Sequence, residues 1–582
     1  MPISAANSFN TRDKLNALAP DGSHEVGLRE KLFAGYFQDD WRARPNLTLN
    51  LGLRYEATTR PTDANRVPGY TVNGSTVTSA GFQEIISLSN CLSSPTACGP
   101  VGVNSPILAN PTTKNFEPRI GFVWSPFKDG KTVVRGGFGM FDVLPLPYQF
   151  GLNTAATAPF QIIGAARGTI LGSGINPNVN FNPQKIRNRF IDAYPKRAYV
   201  MNWNFNVQRE LAQHYTLLLG YVGSRSLHLS AAGDDINLVQ PVSVPGVGLV
   251  FPCDPSQLSP GSTCAGQQTG TRIDPNWGGG AGIRPVVYNG ASSYNSFQAQ
   301  LRKSFSQNVQ GQASYTFGKC RDLSSAPVTG DTFLNSIAVP LLLFKSARLG
   351  ACDFDIRHVF SGTVVWSLPS LKNSSRFVSA VAGGWELGTI VTATSGAPFT
   401  ATVGDGNDPL GTGFNGDFSM DFASLLPGCN PIHGGLNYLN TNCFTPPTAP
   451  LSLAPATARN PYGCAPGSFP SSPVAPPSGM QFCSNVLGNT GRNTFYGPGL
   501  TTVDFSVFKN MHIPSISETF NLQFRAEFFN ILNHTNFLSP GFLNTFGQNN
   551  SVYDFDGSSL PTALNQTSTT SRQIQLGLKL IF

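Results

Sequence analysis

Few residues in this sequence have the types and spacing that catalysis requires. His358 follows Asp355 and Arg357, and an imidazole beside a carboxylate can transfer protons near neutral pH. The same segment offers no candidate nucleophile for the histidine to activate, and it stands where a strand is expected to begin. We therefore interpret His358 as a structural residue and expect a protein that is not an enzyme.

Two groups of loop residues invite comparison with binding motifs, and neither fits. The segment 411–416, GTGFNG, has the G-x-G-x-x-G spacing of a nucleotide-binding loop, but no strand precedes it and no helix follows it. Carboxylates that could hold calcium lie close by, at Asp405, Asp408, Asp417 and Asp421. Their spacing differs from that of known calcium loops. We expect loop glycines, solvated carboxylates and no cofactor.

The ten cysteines are the remaining groups with distinctive chemistry. The sequence contains no C-x-x-C or H-E-x-x-H pattern, which disfavours a metal site. An even count, clustered between the expected strands, indicates local disulfides formed in an oxidising compartment. Spacing alone leaves the pairing open; we expect sequential pairs and no cysteine inside a strand. The cysteines are Cys91, Cys98, Cys253, Cys264, Cys320, Cys352, Cys429, Cys443, Cys464 and Cys483.

The elements that position these residues alternate apolar and polar side chains with a period of two. In residues 47–56, LTLNLGLRYE, four leucines and a tyrosine alternate with polar residues or glycine, which predicts a strand with two different faces. We count about thirteen such strands of roughly ten residues, the length of a tilted strand that crosses a bilayer. Further examples lie at 30–41, 116–124, 199–207, 215–221, 297–301, 309–317, 360–368, 503–507, 520–528 and 574–582.

The connections between these strands alternate between short and long. Short ones are expected near 42–46, 126–131, 210–214, 305–308, 369–383 and 510–518, and long ones near 58–115, 142–197, 226–292, 320–356, 396–498 and 530–571. Outer-membrane barrels have short periplasmic turns and long extracellular loops. A soluble β-sandwich with an aromatic core is the alternative, but it gives no reason for this asymmetry. The expected fold is all-β, a transmembrane antiparallel β-barrel.

Composition agrees with a membrane barrel and excludes other classes. Charged residues are 12% of the 582 residues, about half the usual share of a soluble protein. No run of about 18 apolar residues predicts a transmembrane helix. Lysines and arginines are scattered singly, so no nucleic-acid partner is indicated. The first twenty residues lack a signal-peptide pattern, and an export signal would have to lie outside this sequence.

The two faces of each strand should meet different surroundings. In hydrocarbon every backbone polar group needs a partner, so strands cross a membrane only as a closed sheet. We expect the apolar set from Leu47 to Tyr55 to face lipid and charged residues at alternate positions to face the lumen. Arg525 and Glu527, about 7 Å apart on one face, should belong to a charge ladder. The lumen candidates are Arg54, Glu56, Arg119, Arg135, Arg525 and Glu527.

A series of segments, in order along almost the whole chain, resembles the barrel of TonB-dependent outer-membrane receptors, specifically the Oar-like group common in Acidobacteria. Any single segment is a weak signal, but eight or more in order, each at a strand or strand edge, form a specific pattern. The segments are GYFQDDW, LTLNLGLRYE, EPRIGFVWSP, KTVVRGGFGMF, MNWNFNVQREL, LGYVGSRS, SYNSFQAQL, ASYTFGK, DFDIRHVFSG, SGAPFT, GNTGRNTFYGPG and FRAEFFNILNHTNF.

The carboxy-terminal segment QLGLKLIF resembles the assembly signal of outer-membrane barrels. Its matching residues are Gln575, Gly577, Leu580 and the terminal Phe582. The resemblance implies that the barrel assembly machinery recognises this segment.

The resemblance also implies parts that this sequence does not contain. Family members carry a signal peptide, often a carboxypeptidase-regulatory-like domain, and a TonB-contacting plug ahead of a barrel of about 22 strands. Residues 1–582 would then be the C-terminal part of the barrel. Counting back from Phe582 makes the strand near 30–41 a descending one. Several strands are therefore expected before it, unless our count is wrong by one.

The family resemblance implies a receptor in the bacterial outer membrane, surrounded by outer-membrane lipid, that binds an unknown extracellular ligand for energised uptake. TonB would act only through a plug that this chain lacks. Two alternatives stay open: a structural or adhesive surface barrel, and a passive porin-type channel.

Overall fold

The computed structural model describes most of the chain, with gaps. The described residues are 7–10, 28–63, 70–72, 75–77, 82–84, 101–103, 105, 107–145, 163–166, 180–181, 188–192, 194–232, 241–252, 283–325, 345–369, 378, 381–403, 421–435, 438–457, 460–465, 475–483, 485–512, 520–539, 551–553 and 567–581.

Thirteen long strands follow one another in a single antiparallel sheet, in the order of the sequence. This arrangement confirms the all-β fold of about thirteen strands. The strands are β1 (Leu32–Arg44), β2 (Leu47–Thr58), β3 (Phe116–Trp124), β4 (Thr132–Asp142), β5 (Tyr199–Ala212), β6 (Tyr215–Ala232), β7 (Ile283–Ser306), β8 (Val309–Asp322), β9 (His358–Ser367), β10 (Trp385–Thr394), β11 (Leu500–His512), β12 (Asn521–Phe529) and β13 (Gln573–Ile581).

Connection length alternates along this sheet as the sequence predicted. The connections 45–46, 125–131, 213–214, 307–308, 368–384 and 513–520 are short and lie at one edge, the short-turn rim. The connections 59–115, 143–198, 233–282, 323–357, 395–499 and 530–572 lie at the opposite edge, the long-loop rim. Because outer-membrane barrels keep their long loops outside the cell, the long-loop rim is the extracellular one.

The alternating pattern separates an apolar from a polar face. The register aligns Phe205, Tyr221, Phe297 and Phe317 across β5 to β8, and all four side chains are exposed. Leu51, likewise exposed, pairs with Ile120 on the same face. Apolar side chains gathered on one face of a barrel strand are the ones that lipid covers.

Shorter elements lie in the long connections and ahead of β1. A helical turn spans Lys345–Arg348, and a 3-10 turn spans Thr441–Cys443. None of the helices in the described part of the chain is long and apolar enough to cross a membrane. The short strands are Asn7–Asn10, Leu28–Arg29, Thr62–Asp63, Tyr70–Val72, Ser75–Val77, Phe82–Glu84, Val101–Val103, Ile163–Ala166, Asn180–Phe181, Asn188–Ile191, Val242–Val244, Gly248–Val250, Gly350–Ala351, Pro398–Phe399, Thr402–Val403, Asp421–Phe422, Ser424–Leu425, Phe444–Thr445, Thr448–Pro450, Met480–Phe482, Phe495–Tyr496 and Ser551–Tyr553.

Most buried apolar side chains of the described residues cluster among the long connections, although one cluster also includes Val286 and Tyr288 of β7. One cluster packs Phe399, Phe444 and Phe495 together, and another joins Phe251 to Phe422. Further contacts join these connections to one another. We call the described parts of 233–282, 323–357 and 395–499 the loop cap. Its folded state depends on burial of apolar side chains, as in a small soluble domain.

Both ends of the sheet have a free edge among the described residues. There β1 pairs only with β2, and β13 pairs only with β12. The strand Asn7–Asn10 pairs with Ile163–Ala166 in a separate small sheet. The strand β1 runs towards the short-turn rim, as the expected first descending strand does. That further strands precede it stays a prediction.

Two expectations about strand ends are wrong. Cys320 lies inside β8, which we expected to end before it, and β6 continues past the expected start of its loop at residue 226. The extension of β8 pairs with Gly350–Ala351, a contact between distant parts of the sequence. The extension of β6 pairs with β7 through register shifts near Leu229. Both extensions lie beyond the apolar band, where the alternation of apolar and polar residues no longer identifies a strand.

Candidate functional site

All six charged residues predicted to face a lumen share the polar face. Arg119 stands opposite Gly52, Arg135 opposite Asn206, and Glu527 opposite Gln575, all at positions that alternate with the apolar residues. That the polar face lines a lumen stays a prediction. The six residues are Arg54, Glu56, Arg119, Arg135, Arg525 and Glu527.

Three of them meet at a buried carboxylate near the long-loop rim. The side chain of Glu117 is 3% exposed, and its Oε2 lies 2.8 Å from a terminal nitrogen of Arg119. The Nε of Arg54 lies 4.0 Å from the same oxygen, and Arg54 also contacts Glu56. A buried carboxylate requires such cations and hydrogen bonds to compensate for lost water. Glu117 is not among the residues predicted from the sequence, although its alternation with Phe116 and its place two residues before Arg119 mark it as a residue of the polar face.

A second carboxylate extends this cluster to a loop residue. Arg197 donates two hydrogen bonds to Asp142, at 2.7 and 3.0 Å, and a third of 2.8 Å to the carbonyl of Phe116. The backbone N–H of Asp142 donates to Oε1 of Glu117 at 3.0 Å. The arginine thereby fixes the connection before β5 against β3 and β4. No sequence pattern marks Arg197, because it precedes its strand and its partners are distant.

The remaining lumen candidates make neutral contacts. Arg135 donates to the side-chain oxygen of Gln208 at 2.8 Å. Arg525 hydrogen-bonds to Gln523 and stacks 5.4 Å from the ring centre of Phe508. Gln523, two residues away on the same face, therefore hydrogen-bonds to the Arg525 guanidinium. That Arg525 and Glu527 belong to a charge ladder stays a prediction.

Uncharged amides and glycines line the middle of the polar face. A hollow of about 310 Å³ opens there, bordered by Asn50, Asn202 and Asn204. Amides donate and accept hydrogen bonds without selecting for charge, and Arg119 adds one cation to the lining, so this surface suits a polar neighbour. The glycines that make the hollow possible are Gly52, Gly121, Gly137 and Gly139.

A buried arginine joins two long connections in the loop cap. Arg492, of the 395–499 connection, forms an ion pair with Asp322 at the end of β8. It also lies 3.2 Å from the carboxylate of Asp353 and donates to the backbone carbonyl of Arg348 at 3.1 Å. All four residues are buried. Removing one member of such a buried group leaves an uncompensated charge.

Asn493, the residue after Arg492, contacts the same acidic loop. The side-chain nitrogen of Asn493 donates to Asp353 at 2.7 Å and to the carbonyl of Ala351 at 2.8 Å. Its backbone N–H donates to Thr400 at 2.9 Å. Two adjacent residues therefore fix the same acidic loop by side-chain contacts.

Arg348 is the largest fully buried side chain of the described residues. Its Nε donates to the carbonyl of Leu323 at 3.2 Å, and one terminal nitrogen donates to Asn289 at 3.0 Å. Burial, together with the nearby cation of Arg492, lowers the pKa of Arg348 to about 10. The neighbouring Asp322 opposes this shift.

The residues considered for acid–base chemistry have structural partners. Asp355 accepts a hydrogen bond from the backbone N–H of Cys320 at 2.6 Å and one from the Tyr496 hydroxyl at 2.7 Å. Burial, then the hydrogen bond and the charge of Asp355, raise the pKa of Tyr496 to about 12. His358 lies on the apolar face instead, with Nδ1 2.8 Å from the Tyr315 hydroxyl and its ring 4.9 Å from that of Phe317.

Three disulfides join cysteines that are sequential in the chain. Their Cα–Cα distances are 5.4, 5.4 and 5.2 Å, within the usual range of disulfides. The pairs are Cys320–Cys352, Cys429–Cys443 and Cys464–Cys483. Cys91, Cys98, Cys253 and Cys264 lie outside the described residues.

The remaining predicted residues lie partly in the sheet and partly outside the described residues. Gln575 and Gly577 of the carboxy-terminal segment lie on the polar face, and Leu580 pairs with Leu522 on the apolar face. Phe582, the glycine segment 411–416 and the acidic residues before Asp421 lie outside the described residues. The described part of the chain contains no group of three or more potential metal ligands.

Comparison with known proteins identifies a family. A family model described as "outer membrane beta barrel domain" matches residues 11–575. No curated protein sequence matches this chain.

Several solved structures are similar to this chain at low sequence identity. The outer membrane transporter YddB from Escherichia coli is 9% identical with a TM-score of 0.37, over 95% of this chain and 44% of that one. The siderophore receptor PiuA from Acinetobacter baumannii has 9% identity, a TM-score of 0.37, and coverage of 95% and 43%. The FrpB iron transporter from Neisseria meningitidis has 10% identity, a TM-score of 0.38, and coverage of 96% and 46%. This chain spans less than half the length of each.

Proposed function

This chain belongs to the outer membrane β-barrel domain family of the bacterial outer membrane, and from that membership we propose that it forms the wall and the ligand-binding loops of a TonB-dependent receptor. Its loop cap binds an extracellular ligand for energised uptake. TonB acts through a plug.

The loop cap is the observation that carries this proposal. The buried ion pair of Arg492 with Asp353 joins the connections 395–499 and 323–357 at the extracellular rim. The apolar cluster of Phe251 and Phe422 joins 233–282 to 395–499, and two disulfides close smaller loops within 395–499. Loops on a rigid scaffold commonly carry binding residues, and binding sites need side chains held in place by their surroundings. A passive channel has no need for so ordered a structure above its entrance.

The polar face supports the same function. Its uncharged amides suit contact with a polar protein segment, and the hollow beside Gly121 and Gly137 admits a close approach. We propose that the plug packs against this face. The cluster around Glu117 then stiffens the wall at the long-loop rim.

Uptake in the native host tests the proposal. A strain that lacks the gene is compared with the same strain complemented by the gene. Uptake of ferric siderophores, cobalamin, maltodextrins and short peptides is measured in both, with and without a protonophore. Uptake of one class that requires both the gene and the proton gradient is expected. A third strain lacking TonB should behave like the deletion strain.

Two results would favour the alternatives. Gene-dependent ion conductance in planar bilayers, together with solute entry that persists after protonophore treatment, would support a passive channel. Gene-dependent adhesion that persists without TonB, with no uptake of any class, would support an adhesive barrel.

A further inference from the structure

Three basic side chains stand on the apolar face of the sheet. Arg225 belongs to β6, and Lys319 and Arg321 belong to β8. The register places Arg225 and Arg321 on either side of Ser293, and Lys319 opposite Asn295 of the intervening strand. The three cations therefore occupy neighbouring positions on one outward surface.

Their depth follows from the length of the strands. A tilted strand crosses the hydrocarbon core in about 9–11 residues. Arg225 stands ten residues after Tyr215, the first residue of β6, and Lys319 stands ten after Val309, the first of β8. The cations thus lie at the extracellular boundary of the apolar band, where charged side chains reach lipid headgroups.

An aromatic row marks the same boundary. Tyr221, Phe297 and Phe317 are paired across β6, β7 and β8, two residues below Lys319 and four residues below Arg225 and Arg321. The hydroxyl of Tyr221 donates to the side chain of Asn295 at 2.5 Å. Aromatic girdles occupy the membrane–water interface of outer-membrane barrels, so the cations begin where the hydrocarbon ends.

The spacing of the three cations suits more than one anionic group. Arg225 and Arg321 lie two strands apart, which corresponds to about 10 Å, and Lys319 and Arg321 lie two residues apart, about 7 Å. The acidic neighbour Asp322 points to the polar face and pairs with Arg492. The outward surface around the three cations is therefore positive.

Two lysines on the apolar face are already engaged within the protein. At the short-turn rim, Lys303 donates to the carbonyls of Ser306 and Val309 at 2.8 and 2.9 Å. Lys509 similarly donates to the carbonyl of Val381 at 2.9 Å. These lysines stabilise turns of the protein itself.

The cations at the extracellular boundary differ from these lysines because they have no such partners in the described part of the protein. Arg225, Lys319 and Arg321 are exposed, and within the described residues none of them forms an ion pair or a side-chain hydrogen bond. Three cations without a protein partner on this outward surface are available to bind an anion from outside the protein.

We propose that Arg225, Lys319 and Arg321 form a site for the phosphate groups of an outer-leaflet lipid headgroup. The outer leaflet of bacterial outer membranes contains a phosphorylated glycolipid whose acyl chains would lie along Tyr221 and Phe297. Guanidinium groups bind phosphate oxygens in pairs of hydrogen bonds, and the lysine adds a point charge. Each cation near a membrane surface strengthens anionic-lipid binding about fivefold, so the three together contribute roughly a hundredfold.

Lipid retention by the full chain, extracted from the outer membrane of its expressing host, tests this site. Native mass spectrometry measures bound lipid A, with phosphatidylcholine as the zwitterionic comparison. The combined variant R225Q/K319Q/R321Q should retain lipid A at least tenfold less than the parent chain. The matched control is Arg302→Gln, an exposed arginine of β7 on the polar face, which should leave retention unchanged.

The outcomes separate a lipid site from other anion sites. Unchanged lipid A retention in the combined variant would overturn the proposal. So would displacement of lipid A by millimolar inorganic phosphate alone, because that result describes a site for free anions. Equal losses in the combined variant and in R302Q would also count against it, since they indicate a non-specific effect of charge.

A measurement in intact cells keeps the test independent of extraction. A photoreactive amino acid in place of Asn295, between the three cations, should cross-link to glycolipid in the membrane. The same amino acid in place of Gln312, an exposed residue of β8 on the polar face, should not. Cross-linking from both positions, or from neither, would contradict the assigned site.

Discussion

Arg492 and Asp322 form a buried ion pair although 170 residues separate them in the sequence. The arginine lies in the longest connection of the chain, and the aspartate ends β8. With Asp353 as a further partner of the same guanidinium, the pair joins two extracellular loops through charge and not only through apolar packing. We therefore expect the loop cap to depend on this arginine more than on any exposed charge.

The first prediction concerns this ion pair. Substituting Arg492→Met should destabilise the loop cap by about 3–5 kcal/mol, because two buried carboxylates lose their cation. Hydrogen exchange of peptides from 345–357 and 421–465 should accelerate accordingly. Arg302→Met, an exposed arginine on the polar face, is the control and should leave exchange unchanged. Equal protection in both variants would show that the ion pair does not hold the cap.

The second prediction concerns the two faces of β2. Leu51→Arg should block membrane assembly, because a cation near the bilayer midplane costs roughly 2–4 kcal/mol. Thr48→Arg places the same charge on the opposite face and should be tolerated. The measurement is the fraction of heat-modifiable protein in isolated outer membranes. If both variants assemble equally well, the assignment of faces is wrong.

The third prediction concerns the disulfides. Non-reducing mass spectrometry of protein from the cell surface should recover Cys429–Cys443 and Cys464–Cys483, and also Cys91–Cys98 and Cys253–Cys264. Replacing Cys443 by serine opens a loop of 14 residues and should cost the cap about 3 kcal/mol. Free thiols throughout would refute the oxidised extracellular location.

The fourth prediction concerns alkaline pH. Because the pKa of Tyr496 is raised from 10 to about 12, the folded cap favours the protonated hydroxyl. This contribution to stability is fully present below pH 10 and is lost as the pH rises towards 12. Cap stability of the parent chain, measured by hydrogen exchange between pH 9 and 12, should fall more steeply than that of Tyr496→Phe. If cap stability fell in parallel with pH in both proteins, ionisation of Tyr496 would not be coupled to the stability of the cap.

The strands could be predicted because their signals are local. Alternation in residues such as Leu47 to Glu56 reports the face of a strand, and a bilayer fixes its length. The end of β8 could not be predicted, since its extension through Cys320 depends on pairing with Gly350–Ala351. Glu117 was within reach of the same alternation, because it shares a face with Arg119.

The loop cap lay beyond sequence reasoning for a different reason. The motif that contains Arg492 supported the family resemblance, but its partners Asp322 and Asp353 are 170 and 139 residues away. Single-sequence patterns report neighbours within a few positions and contain no signal for such pairs. Cysteine pairing was easier to predict, because an even count in local clusters limits the choices.

The separations within the loop cap also imply an order of assembly. The disulfides close 14, 19 and 32 residues, whereas the Arg492 ion pairs close 139 and 170. Closing a longer segment costs more chain entropy, and contacts distant in sequence form later. Small oxidised loops can therefore form while the chain is still outside the membrane. Because β9 and β10 lie between Asp322 and Arg492 in the sequence, we expect burial of Arg492 to be a late event that reports placement of these two strands.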